Sequence, residues 1–170
     1  MKKLLLLGIL LLGITTADAQ RGKNNPYHTP GTKEYMAETA KILNPTKKVV
    51  IPDLDARCSL ADSCPAEDLE KFIAQYPNHI VLSYVNCSAK VKTLSDIIVT
   101  SGNALKIVDS LPKDQKIIFT PDQNLGAYIN TQLGREMVLW KGACHVHDHL
   151  TADEVFKMKH LYPNAKVLAH

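Results

Sequence analysis

Short apolar segments alternate along the chain with segments in which apolar residues recur every three or four positions. The apolar segments are rich in β-branched residues and nearly continuous in apolar character, which is typical of strands covered on both faces. They are KKVVIP (47–52), HIVLSYV (79–85), DIIVT (96–100), KIIFT (116–120), EMVLW (136–140) and AKVLA (165–169). The intervening segments predict helices at 34–43, 66–76, 89–95, 103–110, 123–133 and 152–162.

Capping residues support several of these helix boundaries. Ser88, Ser101 and Thr151 stand where an N-cap is expected, and Glu154 completes a capping box with Thr151. Gly134 ends the helix predicted at 123–133. Strands that alternate with helices of about ten residues favour right-handed βαβ units. The pattern therefore predicts an α/β fold, doubly wound around a parallel sheet.

The first residues differ from the rest of the chain. Lys2 and Lys3 precede an apolar run at 4–14, and Ala17-Asp18-Ala19 offers small residues at the spacing of a cleavage site. This arrangement predicts a secretory signal peptide at 1–19, followed by a polar linker at 20–33. The alternative interpretation is an N-terminal apolar helix.

Composition narrows the functional classes. The chain has 170 residues and a net charge of +3, with apolar and charged fractions ordinary for a globular domain. No basic block is interleaved with aromatic residues, so nucleic acid is not an expected partner.

Polar and reactive residues follow the predicted strands. In a parallel sheet the carboxyl ends of the strands meet at one edge, which is where ligands bind in open α/β folds. We therefore expect a site where the loops after the strands converge; these loops are 53–58, 84–88, 101–103, 121–126, 141–148 and His170. Ser101, at the start of a helix on this edge, suits a phosphate or carboxylate; its alternative role is a simple helix cap.

Four cysteines and a histidine-rich segment remain to be explained. Cys58 and Cys144 each lie in a loop after a strand, so they are candidates for iron–sulfur ligands or for a disulfide. Cys64 and Cys87 are interpreted as small buried residues. The HVHDH segment (145–149) is interpreted as a polar loop, with a metal strip as the alternative.

Several motifs, in order from about residue 35 to 170, closely resemble quinolinate synthase. They are MAETAKILNP, PDLDARCSLADSCP, YVNCSAKVKTLSDIIVTSGNALKIV, KIIFTPDQNLGAYI, LWKGACHVHD and YPNAKVLAH. The resemblance implies a three-layer α/β/α fold built from three similar domains, each supplying one cysteine to a central [4Fe–4S] cluster. It divides this chain into the end of a first domain (34–64), a central domain (65–150) and the start of a third (151–170).

The resemblance also implies a reaction and a set of residues. The family condenses iminoaspartate with dihydroxyacetone phosphate to give quinolinate, in the cytoplasm, with aspartate oxidase as its pathway partner. Cys58 and Cys144 match two of the three cluster ligands. The residues that match substrate-binding positions are Tyr84, Val85, Asn86, Ser101 and His170.

Parts of the family pattern have no counterpart here. Its first domain should precede MAETAKIL, and its third cluster cysteine should lie beyond residue 170. We therefore expect an incomplete enzyme that is inactive alone, and as partners either a homo-oligomer or another chain that carries the missing domains. Two alternatives remain: an exported, non-enzymatic α/β module that binds a small dicarboxylate, and a disulfide-stabilised structural domain.

Overall fold

The computed structural model describes residues 35–51 and 58–168. The predicted segments 1–19 and 20–33, the loop residues 53–57 and His170 lie outside the described residues. The helices are α1 (Tyr35–Leu43), α2 (Ser59–Asp62), α3 (Ala66–Ile73), α4 (Ala89–Thr93), α5 (Ala104–Ser110), α6 (Gln123–Leu133), α7 (His145–Asp148) and α8 (Ala152–Leu161). The strands are β1 (Ile80–Tyr84), β2 (Ile97–Val99), β3 (Ile117–Thr120) and β4 (Val138–Leu139).

The four strands form one parallel sheet in the order β2-β1-β3-β4. The central strands β1 and β3 pair from Ile80 with Ile117 to Ser83 with Thr120. Their side chains are almost fully buried because the sheet has helices on both sides. The predicted α/β class and the parallel sheet are confirmed.

Alternating residues of the strands face two separate apolar clusters. Leu82 and Phe119 pack in one cluster with residues of α5 and α6. On the opposite face, Thr120 contacts Cys64, which belongs to a second cluster with residues of α3 and α4. Because neighbouring positions on a strand point to opposite faces, the two clusters form the two interfaces of a three-layer α/β/α arrangement.

The helix caps follow the predictions at all but one position. Ser88 and Thr151 accept hydrogen bonds from backbone N–H groups, and Gly134 ends α6 at a φ of 60°. The prediction that Ser101 caps α5 is wrong, because the N-cap is Asn103. The Asn103 Oδ1 atom instead turns back and accepts a 2.6 Å hydrogen bond from the Thr100 N–H, which closes the turn that contains Ser101.

Two predicted strands are absent from the described residues. Residues 47–51 and 165–168 have no regular structure, and the side chains of Val50 and Leu168 are 73% and 93% exposed. An apolar run becomes a strand only when a neighbouring strand accepts its hydrogen bonds, and neither segment has one in this part of the molecule. Helix α8 forms as predicted but buries none of its residues.

The buried face of helix α1 is not the one marked by its regularly spaced apolar residues. Met36, Ala40 and Leu43 recur at helical spacing, but Met36 and Leu43 are exposed. The buried residues are Tyr35, Thr39 and Ile42. The rotation of the helix is set by Tyr35, whose hydroxyl donates a 2.8 Å hydrogen bond to Asp62 Oδ1; burial and this hydrogen bond raise the pKa of Tyr35 above its ordinary value.

Within the described ranges, no helix combines the length and the apolar character that crossing a bilayer requires.

Buried Arg135 joins the segment before β4 to the end of α5. Its guanidinium donates hydrogen bonds of 2.6–3.1 Å to the backbone carbonyls of Val108, Leu111, Pro112 and Lys113. The last carbonyls of a helix lack partners within the helix, so these hydrogen bonds supply donors to the end of α5 and to the loop that follows it.

Replacing this guanidinium tests how much the contact stabilises the fold. We expect Arg135→Met to lower the free energy of unfolding by about 2–4 kcal/mol, because four backbone carbonyls at and after the end of α5 lose a charged donor. Lys113→Met is the control, because Lys113 lies in the loop after α5 that Arg135 contacts. It removes an exposed ion pair with Asp109 and should change the free energy of unfolding by less than about 0.5 kcal/mol. Urea unfolding followed by circular dichroism measures both changes. Equal effects of the two substitutions would contradict a stabilising role for the Arg135 hydrogen bonds.

Candidate active-site edge

The turn after β1 carries the first group of candidate residues. Tyr84 is the last residue of β1, and Val85 and Asn86 follow it in a tight turn, all three half-buried. The Val85 N–H donates a 2.8 Å hydrogen bond to the carbonyl of Val99, and the Cys87 N–H donates to the Val85 carbonyl at 2.9 Å. The turn is therefore attached to the end of β2, and we call residues 84–87 the β1 turn.

Ser101 lies beside the β1 turn. Tyr84 pairs in register with Val99, so the turn that begins at Thr100 leaves the sheet next to Asn86. Ser101 is half-buried and stands two residues before the N-cap of α5. The structure thus brings together the predicted substrate-binding residues of β1 and β2, while His170 lies outside the described residues.

The loops after β3 and β4 are joined at the same edge of the sheet. Asp122 caps α6 by accepting hydrogen bonds from the N–H groups of Asn124 and Leu125. The Gln123 N–H donates a 2.8 Å hydrogen bond to the carbonyl of Gly142, extending the pairing beyond the strands. These contacts fix where the chain turns toward Cys144.

Gly142 permits α2 to approach this loop closely. A Cβ atom at position 142 would lie 2.3 Å from Ser63 Oγ and 2.5 Å from the carbonyl oxygen of Pro121, so no side chain fits here. Trp140 Nε1 also donates a 2.9 Å hydrogen bond to the carbonyl of Ser63. Residues at the end of α2 are therefore held against the loop after β4.

Cys58 and Cys144 occupy equivalent positions at this junction. Cys58 is the N-cap of α2 and Cys144 is the N-cap of α7, and both thiols are free and partly exposed. The next residues are in contact, because the His145 N–H donates a 3.3 Å hydrogen bond to Ser59 Oγ. The two cysteines thus lie in neighbouring segments although they are far apart in sequence.

Cys64 and Cys87 have a different environment. Both are buried in the cluster between the sheet and helices α3 and α4, as their interpretation as small core residues predicted. Burial raises the pKa of each thiol to about 11. All four cysteines lie among the described residues and all are free, so this structure does not support a disulfide-stabilised domain.

The HVHDH segment is a short helix rather than the predicted polar loop. The rings of His145 and His149 stack edge to face at 5.6 Å between centroids, and Asp148 accepts a hydrogen bond from the Asn124 side chain. The helix forms because the carbonyl of Cys144 accepts from the N–H groups of His147 and Asp148. Within 35–51 and 58–168, no three His, Cys, Asp or Glu side chains are grouped so that they could hold a metal ion.

Sequence reasoning missed the residues that assemble this junction. Ser59 begins a helix that is too short to show a periodic pattern, and Ser63 is the C-cap of that helix. Trp140 was assigned to a predicted strand, which gave no sign of its hydrogen bond to Ser63. Gly126 lies inside α6, where a Cβ atom would be 2.6 Å from Leu139. The close approach of α6 to Leu139 and Phe119 therefore favours a glycine at this position.

Thiol labelling distinguishes the two pairs of cysteines. With N-ethylmaleimide at pH 8 we expect Cys58 and Cys144 to react readily because they are partly exposed. Cys64 and Cys87 should react at least about a hundredfold more slowly, because they are buried and few of their thiols are ionised this far below a pKa of about 11. The labelling rates of Cys64 and Cys87 should rise about tenfold per pH unit below that pKa while the fold persists. Peptide mass spectrometry measures the rate at each cysteine. Equal labelling of all four cysteines would contradict the burial of Cys64 and Cys87.

Comparison with known proteins places the chain in a family. The family model described as quinolinate synthetase A protein matches residues 30–170. The chain is 60% identical to the quinolinate synthase of Thermosynechococcus vestitus and 58% identical to that of Microcystis aeruginosa, each over 136 residues. Each alignment covers 80% of this chain but 43% of the relative, so the chain spans less than half the length of these proteins. The family match, together with the placement of the motif residues along one sheet edge, shows that the chain belongs to the quinolinate synthetase A family.

Proposed function

We propose that this chain provides the central part of a quinolinate synthase, which condenses iminoaspartate with dihydroxyacetone phosphate and releases two waters and phosphate. Family membership supports the reaction class. The observation that carries the proposal is the hydrogen bond between Ser59 and His145, since it brings Cys58 and Cys144 to the edge that also carries Tyr84, Asn86 and Ser101.

Cys58 and Cys144 are proposed as two thiolate ligands of a [4Fe–4S] cluster. They suit this role because both are free, partly exposed and in neighbouring segments, and because iron–sulfur clusters bind thiolates. Among the described residues, no third ligand is grouped with Cys58 and Cys144, and the side chains of Cys64 and Cys87 are buried in the apolar core. We therefore propose that the third thiolate comes from outside these 170 residues. An iron with an open coordination position supplies Lewis-acid chemistry to a bound substrate.

The β1 turn and Ser101 are proposed to bind the substrate. The Tyr84 hydroxyl and the Asn86 amide provide hydrogen-bond donors for the carboxylates of iminoaspartate, and the Val85 backbone holds the turn against β2. The Ser101 hydroxyl provides a donor for a carboxylate or phosphate oxygen. His170 is proposed as a further substrate-binding residue from its position in the family motif.

The chemistry of the substrate and cluster favours a reducing compartment. Exposed iron–sulfur clusters and free thiols do not persist where disulfides form. We therefore propose that the protein acts in the cytoplasm. Iminoaspartate is the oxidation product of aspartate, so an aspartate oxidase is the proposed source of substrate.

Anaerobic reconstitution with iron and sulfide tests the proposed ligands. We expect the chain to take up iron, and Cys58→Ser or Cys144→Ser to remove most of it, because each eliminates one of two thiolates. Cys64→Ser is the matched control, because that residue lies in the core and its hydroxyl can still bond to Thr120; it should retain the iron. Iron quantitation and cluster absorbance measure the uptake.

The same preparations test whether the chain suffices for catalysis. With two ligands we expect no sustained formation of quinolinate by the 170-residue chain alone. Rapid turnover by this chain, or full iron uptake by a Cys58→Ser/Cys144→Ser double variant, would contradict the proposed ligand set.

A further inference from the structure

Lys92 is a buried lysine in the short helix α4. Its side chain is 1% exposed and is among the largest fully buried side chains of the described residues. An ammonium group removed from water is strongly unfavourable unless hydrogen bonds and charges compensate it. An uncharged side chain of similar size would fill the same space, so the presence of lysine here requires an explanation.

The ammonium bonds to the β1 turn. Lys92 Nζ donates a hydrogen bond to the backbone carbonyl of Cys87, the last residue of that turn. The same group lies close enough to the Cys87 thiol to lower its pKa, against the larger upward effect of burial. Lys92 therefore holds the turn at the position that directly follows Asn86.

A second charged side chain holds the other end of the connection between β1 and α4. Glu38, from α1, accepts a 2.7 Å hydrogen bond from the Ala89 N–H through its Oε2 atom. The charge of Glu38 also acts on the Cys87 thiol, and its effect on the pKa of that thiol is opposite to the effect of Lys92. Helix α1 packs on α4 through Ile42 and Ala89, which keeps Glu38 in place.

We propose that Lys92 is a positioning residue for the substrate-binding turn. By fixing the Cys87 carbonyl, its ammonium keeps Tyr84 and Asn86 in a constant relation to Ser101. The hydrogen bond between Val85 and Val99 fixes the turn from the sheet side, and Lys92 fixes it from the helix side. The choice of quinolinate as the ligand rests on the proposed function. The role of Lys92 in fixing the β1 turn does not.

Two substitutions of Lys92 and a matched control test this role in the full 170-residue chain. Lys92→Met keeps the volume of the side chain and removes both charge and donor, and Lys92→Gln keeps a donor without the charge. Lys90→Met is the control, because Lys90 lies two residues away on the same helix but is exposed and pairs with Glu67 at 3.2 Å. Quinolinate is the binding probe, measured by calorimetry.

The rate at which N-ethylmaleimide labels Cys87 in the native protein is the second measurement, and Cys64 in the same apolar cluster is its internal reference. Losing the ammonium by itself raises the pKa of Cys87 and slows its labelling. Faster labelling of Cys87 therefore reports opening of the turn.

We expect Lys92→Met to weaken quinolinate binding at least tenfold and to speed the labelling of Cys87 at least tenfold, with Cys64 unchanged. Lys92→Gln should have smaller effects in the same directions, and Lys90→Met should stay within twofold of the unsubstituted chain. If Lys92→Met does not fold, as judged by circular dichroism, Lys92→Gln is evaluated by the directions of the same two changes.

The outcomes separate this inference from the proposed function. If the unsubstituted chain does not bind quinolinate but loss of Lys92 selectively exposes Cys87, the hold on the turn stands and the ligand assignment fails. A folded Lys92 variant that binds quinolinate like the unsubstituted chain and labels no faster at Cys87 overturns the inference. Equal acceleration at Cys64 and Cys87 also overturns it, because the lysine would then support the whole core.

Discussion

The parallel pairing of β1 with β3 is the constraint on which the rest of the molecule depends. Its register, from Ile80 with Ile117 to Ser83 with Thr120, makes both central strands end at the same edge. The flanking strands β2 and β4 extend this edge, so four consecutive loops emerge side by side. Helices on both faces bury the pairing and hold it in place, which leaves the exits of the strands as the place where polar side chains can meet a ligand.

Two kinds of contact then organise the edge. Backbone pairing continues past the strands, from Val85 to Val99 and from Gln123 to Gly142, and positions the β1 turn, Ser101 and the loop that leads to Cys144. Side-chain hydrogen bonds bring in α2, which is not part of the sheet: Trp140 and His145 donate to groups of α2. The proposed cluster ligands therefore depend on a few polar contacts, whereas the proposed substrate residues depend on the sheet itself.

The residue pattern predicts the central layers well because burial and capping act locally. Helix α6 has the predicted bounds, since Asp122 caps its first turn and Gly134 adopts the left-handed conformation at its end. The two outermost predicted strands fail because strand formation requires a partner, and hydrophobicity along the chain contains no information about one. The edge strand β4 is shorter than predicted for the same reason, since β3 is the strand that pairs with it in the described structure.

The candidate site is predicted in its location but not in its assembly. The position of Cys58 and Cys144 after predicted strands suggests that they share an edge, but the segment before Cys58 forms no strand at 47–51. Their proximity depends instead on a few contacts between α2 and the chain after β4, such as a hydrogen bond between residues 86 positions apart. Lys92 has no sequence signal, because a lysine in a helix is normally assigned to the surface. Its burial becomes evident only when α4 is packed against the sheet and α1 covers it.

The proximity of Cys58 and Cys144 is tested most directly by a bis-maleimide with a two-carbon linker, added in slight excess to the reduced, native chain and followed by peptide mass spectrometry. We expect one dominant intramolecular cross-link between residues 58 and 144, with a lower yield when Ser59→Ala removes the hydroxyl that accepts the hydrogen bond from the His145 N–H. Independent modification of the two cysteines, with no cross-linked peptide in the native protein, would contradict it.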